Sequence, residues 1–116
     1  MYTIKETSQM LNIPASTLRY YEDEKILPPL KRSSGNQRLF DEEDIMLLKV
    51  VQCLKKTKMP INEIREFIEL YQQGSATIPQ RKELFNKHRI RIQEQIQSLE
   101  DTLVVLDRKM TTLNQK

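Results

Sequence analysis

From Ile92 onward the chain places an apolar residue at alternating steps of four and three: Ile92, Ile96, Leu99, Leu103, Leu106, Met110 and Leu113. This is the a/d pattern of a heptad repeat, and it predicts one long helix with a narrow apolar seam. Phe85 continues the seam toward the N-terminus, with Arg89 as its one charged position. A lone helix cannot bury such a seam. Packing within the chain would need a second segment of similar length, and no other stretch of the sequence supplies one. The seam therefore predicts a coiled coil between two copies. Leu84, Val104 and Val105 lie off the seam. They either pack on the partner's other domain or are scattered exposed apolar residues.

The remaining residues must supply whatever core the chain has. With 116 residues, of which 38% are hydrophobic and 30% charged, and with two glycines and no tryptophan, the composition fits a helix-rich chain with a thin core. No apolar run is long enough to span a membrane. The N-terminus lacks a basic stretch followed by an apolar one, so no secretory signal is expected. A single cysteine, Cys53, excludes an internal disulfide framework and a Cys-only metal site within one chain. A reducing cytoplasm is the simplest compartment.

Punctuation divides the first part of the chain. Tyr2-Thr3-Ile4 reads as a short extended start, followed by a helix from about Lys5 to Leu11 with Ile4, Met10 and Leu11 available for the core. Asn12-Ile13-Pro14 breaks it, and a second helix runs from near Ala15 to before Ile26. Pro28 and Pro29 stop helix formation there. Residues 30–40 fit two short strands around Ser33-Ser34-Gly35-Asn36, because glycine and asparagine tolerate the positive φ such turns need. A third helix starts at Asp41, where the acidic run Asp41–Asp44 suits the positive end of the helix dipole. Its apolar stripe is Leu47, Leu48, Val51 and Leu54. Pro60 opens a fourth helix with Ile61, Ile64, Phe67, Ile68 and Tyr71 on one face, and Gly74-Ser75 ends it.

A net charge of +3 hides a sharper separation of signs. Residues 25–40 carry Lys25, Lys31, Arg32 and Arg38 and no acid; residues 45–62 carry Lys49, Lys55, Lys56 and Lys58 and again no acid. Two short helices joined by a tight turn and followed by a basic hairpin have the layout of a winged helix-turn-helix, whose second helix enters the DNA major groove. That helix would present Ser16, Thr17, Arg19, Tyr20 and Tyr21, and the wing Lys31, Arg32 and Arg38. Hydroxyls and guanidinium groups donate to phosphates and base edges. The same pattern also suits a charged, solvated surface on a small helical domain. Of Tyr20 and Tyr21, one is expected to face inward and one outward.

The stretch YTIKETSQMLNIPASTLRYYEDEKILPP, with KRSSGNQRLFDEEDI just after it, closely resembles the MerR family of bacterial transcription regulators. The TLRYYE element, the Pro-Pro stop, the K-R…R-L-F wing and the acidic start of the third helix all match. The resemblance is strong over residues 2–70, and the last helix is similar in kind to the family's dimerisation helix. In the wing turn the family often has Asn-Gly before an aromatic residue and the arginine, whereas this chain has Gly35-Asn36-Gln37-Arg38. The resemblance implies a homodimer joined by an antiparallel coiled coil. It implies binding to a pseudo-palindrome in an over-long promoter spacer, which the activated dimer bends and untwists so that RNA polymerase engages both promoter elements. By position it places Arg19, Tyr20 and Tyr21 at the DNA, with Lys31, Arg32 and Arg38 on its backbone. Contacts made only by bent DNA offset the cost of bending it.

The effector is less legible. Drug-sensing members append a ligand-binding domain after the coiled coil; with the chain ending at Lys116, none is expected. Metal-sensing members have cysteines near both ends of the long helix, and this chain has none there. His88, without a partner cysteine, is expected on the helix surface, and neither metal nor cofactor is expected. Cys53 has Lys49 one turn before it and Lys56 one turn after, and cationic neighbours favour the thiolate, which can add to an aldehyde or be oxidised. The aldehyde- and thiol-stress-responsive branch of the family resembles this chain in its short length and in a cysteine within this helix. Alternatively, Cys53 is a small buried hydrophobe, as free cysteines often are.

No Ser/His/Asp set, glycine-rich phosphate loop or metal cluster supports an enzyme. A coiled-coil adaptor would explain residues 80–113 but not the wing or the TLRYYE element. An architectural DNA-binding protein such as an excisionase shares the winged module but usually lacks a long dimerisation helix. The expected fold is all-α: a winged helix-turn-helix DNA-binding domain with a small β-hairpin wing over residues 1–74, then a coiled-coil dimerisation helix over 75–116. The expected partners are double-stranded promoter DNA, a second copy of the chain and, through the DNA, RNA polymerase, with no membrane.

Overall fold

The computed structural model describes residues 1–115. Strand β1 (Tyr2–Thr3) leads into helices α1 (Ile4–Leu11) and α2 (Ala15–Asp23). Strands β2 (Lys31–Arg32) and β3 (Arg38–Phe40) form the wing. Helices α3 (Glu42–Lys56) and α4 (Ile61–Gln72) follow; a short 3-10 turn (Ser75–Thr77) then opens α5 (Ile78–Asn114). Met1–Arg81 make one compact unit, and a second begins at Lys82. Among the described residues no helix is long and apolar enough to cross a membrane.

Local chemistry sets the boundaries. Thr3 and Glu6 form a reciprocal capping box: the Glu6 amide donates to Thr3 Oγ1 at 3.1 Å, and the Thr3 amide donates to Glu6 Oε1 at 2.9 Å. Asn12 closes α1 in the left-handed region at φ 54°, and Pro14 precedes α2 with its carbonyl accepting from the Thr17 and Leu18 amides at 3.0 and 3.1 Å. Asp41 caps α3 through a second box with Asp44, so the helix proper begins one residue after the acidic run does. Gly74, at φ 86°, makes the break between α4 and the next turn.

The wing is one strand wider than a hairpin. β3 pairs antiparallel with β2 (Lys31 opposite Leu39, Arg32 opposite Arg38) and also with β1 (Tyr2 opposite Phe40, Thr3 opposite Leu39), giving the order β1-β3-β2. At the tip it is Asn36, at φ 61°, that takes the positive backbone angle. The core of this unit is Leu18, Ile26, Leu27, Phe40, Leu47, Leu48, Val51, Ile64 and Ile68, all essentially solvent-free. Leu47, Leu48, Val51 and Leu54 of α3 are buried as their spacing predicts, and so are Ile64, Phe67 and Ile68 of α4.

Two expectations are corrected. Met10 is 48% exposed rather than in the core. The inward stripe of α1 runs through Ile4, Thr7 and Leu11, and Thr7 is fully buried because its hydroxyl donates to the Thr3 carbonyl at 2.9 Å. His88 is buried, not on the surface. Leu84, one turn before His88 on α5, is buried as well, while the residues flanking each of them are exposed; Leu84 is therefore not a scattered exposed residue.

The α5 helix is 37 residues long, about 55 Å at the usual rise. Ile92 is half-buried, whereas Ile96, Leu99, Leu103, Leu106, Met110 and Leu113 are exposed, Leu99 at 67% and Leu113 at 74%. Val104 and Val105 are exposed as well. Lys116, which the sequence assigns to the same segment, lies outside the described residues.

Candidate nucleic-acid interface

The α2 helix buries Leu18 and Tyr21 and half-buries Ala15, Thr17 and Glu22. Ser16, Arg19 and Tyr20 are exposed and Thr17 is half-buried. Tyr21 is corrected: it is 4% exposed, with its ring 6.3 Å from that of Tyr20 and under the ammonium of Lys55 at 5.2 Å. One step along a helix is about 100°, so with Leu18 facing in, Tyr21 one turn later faces in too and Tyr20 faces out. Tyr21 is therefore a core residue that fixes α2 in place, and Tyr20 is the tyrosine open to solvent.

The wing lies beside α2, and Glu22 is the joint. Its Oε1 accepts from Arg38 Nε at 2.6 Å and from Arg32 Nη2 at 3.1 Å, while its Oε2 accepts from the Leu30 amide at 2.7 Å. Arg38 also reaches Asp23 at 3.5 Å. Burial pushes the Glu22 carboxyl up, but the hydrogen bond from Arg38, the Leu30 amide and the two guanidinium charges outweigh it and hold the group below its ordinary value. On the far strand, Lys31 Nζ donates to Asp41 Oδ2 at 2.7 Å, which ties the wing to the start of α3.

Between α1, α2 and the wing opens a cleft of about 440 Å3. Lys5, Arg19, Arg32 and Arg38 line it, with Asn36 and Gln37 at its wing side. Four cations around one opening attract an anion, and guanidinium groups match the geometry of a phosphate. Arg19, Arg32 and Arg38 are thus brought together, as the sequence suggests, whereas Lys31 is directed to Asp41 instead.

Two members of this arrangement escape the sequence reading, Lys5 and Glu22. Lys5 offers no local signal, being one exposed lysine on a short helix. Glu22 does offer one: residues 25–40 hold basic residues and no acid, so the counter-charge for the wing must come from outside it, and Glu22 ends TLRYYE.

Cys53 is exposed on α3, with exposed Lys49 and Lys56 on the adjoining turns, so it is not a buried hydrophobe.

Comparison with known proteins agrees with this geometry. Residues 2–70 match the family model described as MerR HTH family regulatory protein, and residues 45–113 match the one described as MerR, DNA binding. An uncharacterised HTH-type transcriptional regulator of Haemophilus influenzae is 34% identical over 109 residues, covering 94% of this chain and 81% of that protein. The HTH-type transcriptional regulator AdhR of Bacillus subtilis is 32% identical over 91 residues, covering 78% of this chain and 65% of that protein. HiNmlR, a MerR family regulator lacking the sensor domain and solved bound to promoter DNA, is similar at a TM-score of 0.83 and 34% identity, over 95% of this chain and 87% of that one. A MerR family transcriptional regulator from Bacillus thuringiensis gives a TM-score of 0.81 at 32% identity, over 96% of this chain and 97% of that one. The chain belongs to the MerR family of helix-turn-helix regulators and is a DNA-binding transcriptional regulator.

Proposed function

We propose that the chain binds double-stranded promoter DNA as a homodimer and distorts the promoter spacer to control transcription, acting on RNA polymerase through the DNA. The observation that carries this reading is the cleft whose walls hold Lys5, Arg19, Arg32 and Arg38. In this reading residues 1–74 bind DNA and residues 75–116 dimerise through the seam from Ile92 to Leu113. Ser16, Thr17, Arg19 and Tyr20 face the duplex, Arg32 and Arg38 hold its backbone from the wing, and the protein works in the cytoplasm. The Lys31 side chain is 61% exposed at its pair with Asp41, so a DNA phosphate competes with that carboxylate for its ammonium.

The test is a binding titration on DNA from upstream of the coding sequence, repeated across a salt series. Counterion release predicts that affinity falls steeply and log-linearly with salt. Arg19→Ala is expected to weaken binding about tenfold or more, the loss of one charge-assisted contact. Salt-independent binding, or unchanged affinity in the variant, removes α2 from the interface.

Cys53 is the proposed sensor, since it is exposed between two exposed lysines. Its sulfur adds to the carbonyl carbon of a small aldehyde, and the proton lost from the thiol ends on the carbonyl oxygen. In-vitro transcription with and without a small aldehyde, comparing the native protein with Cys53→Ser, decides the point. Induction lost in the serine variant supports the sensor; equal responses in both return Cys53 to a passive position.

A further inference from the structure

Arg32 and Arg38 stand on different strands of the wing, and long side chains on a two-stranded tip have many rotamers to lose. Both guanidinium groups meet the same carboxylate oxygen, Glu22 Oε1, at 3.1 and 2.6 Å, and the other oxygen of that carboxylate takes the Leu30 amide at 2.7 Å. The carboxylate is well shielded: the Glu22 side chain is 12% exposed and that of Arg38 19%. Glu22 uses one nitrogen of each arginine, Nη2 of Arg32 and Nε of Arg38. A guanidinium has five donors, so even with Asp23 Oδ1 also meeting Arg38 Nη2 at 3.5 Å the carboxylates occupy a minority of those available. Both arginines line the cleft that also holds Lys5 and Arg19.

We propose that Glu22 is a positioning residue for DNA binding: from α2 it holds Arg32 and Arg38 at the cleft so that both wing arginines meet a backbone phosphate already oriented. The proposal rests on the reading of this cleft as a DNA-backbone site. The Leu30 amide bond adds a second function, since it anchors the entry of β2 to α2 and so sets the angle of the wing to that helix. Pre-orientation of this kind raises affinity by removing an ordering cost at the moment of binding.

The experiment is a salt-dependent titration of upstream DNA with the full chain and with Glu22→Gln, Arg38→Gln and the double variant. Glutamine keeps an acceptor for the Leu30 amide, and a native-like helical circular-dichroism spectrum with a cooperative urea transition confirms that each variant is folded under the binding conditions. Glu22→Gln is expected to bind about tenfold more weakly, the worth of one charge-assisted bond. Its slope of log affinity against log salt is expected to be shallower by about one to two, as misplaced arginines cease to neutralise phosphates. In the Arg38→Gln background the same change is expected to cost clearly less, because Glu22 then acts through Arg32 alone. A merely structural contribution would lower affinity with the slope intact. That result, a steeper slope from arginines set free, or full additivity in the double variant overturns the proposal. Failure of the native chain to bind DNA at all would instead overturn the reading of the cleft.

Discussion

Asp41 and Asp44 face each other across the first turn of α3 and titrate in opposite directions. The Asp44 amide donates to Asp41 Oδ1 at 2.8 Å, and the Asp41 amide donates to Asp44 Oδ2 at 3.0 Å. Lys31 donates to Asp41, and with the Asp44 amide it holds that carboxyl down at about 2. Burial, aided by the charge of Asp41, pushes Asp44 up to about 6 against the pull of the Asp41 amide. A depressed carboxyl contributes stability that is present above its unfolded value and lost as pH falls through the folded one, so Asp41 matters below about pH 4. A raised carboxyl does the reverse: the native state holds the proton longer, so stability falls as pH rises from about 4 to about 6. Asp44→Asn keeps an acceptor for the Asp41 amide and removes the charge. Two pH units correspond to about 3 kcal/mol at most, from which the lost attraction to the helix dipole, about 0.3–1 kcal/mol, is subtracted. The expected gain at pH 7 is therefore at most about 2 kcal/mol, with the slope between pH 4 and 6 flattened. Urea midpoints at pH 4.5 and 7, at one protein concentration, measure it. A variant less stable at both values would show that the charge of Asp44 is needed by the cap.

The elements of the first unit are held by their ends as much as by their faces. The break after α4 is the clearest case. Gly74 lies at φ 86° and ψ −162°, a region nearly closed to residues with a Cβ. Its carbonyl accepts from Thr77 Oγ1 at 3.0 Å and from Arg81 Nη2 at 2.9 Å, so the turn cannot relax without losing both. Nothing lies within 4 Å of where a Cβ would stand, so Gly74→Ala meets no clash and its cost is conformational alone. The variant is expected to lose about 1–3 kcal/mol in urea unfolding. A gain in stability, from the smaller entropy of the unfolded chain, would mean that the native angle relaxes freely. The wing tells a related story: its hairpin is legible from Gly35-Asn36 and the flanking residues, yet the third strand comes from Tyr2-Thr3, some forty residues away in sequence. Such pairing leaves no local mark, because the signal of a two-residue strand is below what periodicity can detect.

For the whole molecule the decisive surface is the seam of α5. Six apolar side chains from Ile96 to Leu113 are exposed along one stripe, far more than an isolated helix tolerates in water. In the proposed dimer Leu99→Asp with Leu106→Asp places charge inside the seam, and the expected result is a monomer in sedimentation. A second reading follows by mass action: the thermal midpoint of the native protein is expected to rise with protein concentration, and that of the double variant to stay constant. Persistent dimers in the double variant would move the interface elsewhere.

Much of this protein was determined locally, and the sequence alone was enough for it. Helix positions follow from Pro14, Asp41, Pro60 and Gly74; the core faces of α3 and α4 follow from spacing; and the family follows from TLRYYE and the wing. These are properties of neighbours a few residues apart, where capping and periodicity act. Tertiary structure decided what depends on distant partners. It buried Tyr21 and exposed Tyr20, shielded His88, took Met10 out of the core in favour of Thr7, and exposed Cys53. It also made Glu22 the common partner of Arg32 and Arg38. The physical reason is the same throughout: burial and ion pairing depend on which elements fold back against one another, and α2 meets the wing only after the chain has turned at Pro28 and Pro29.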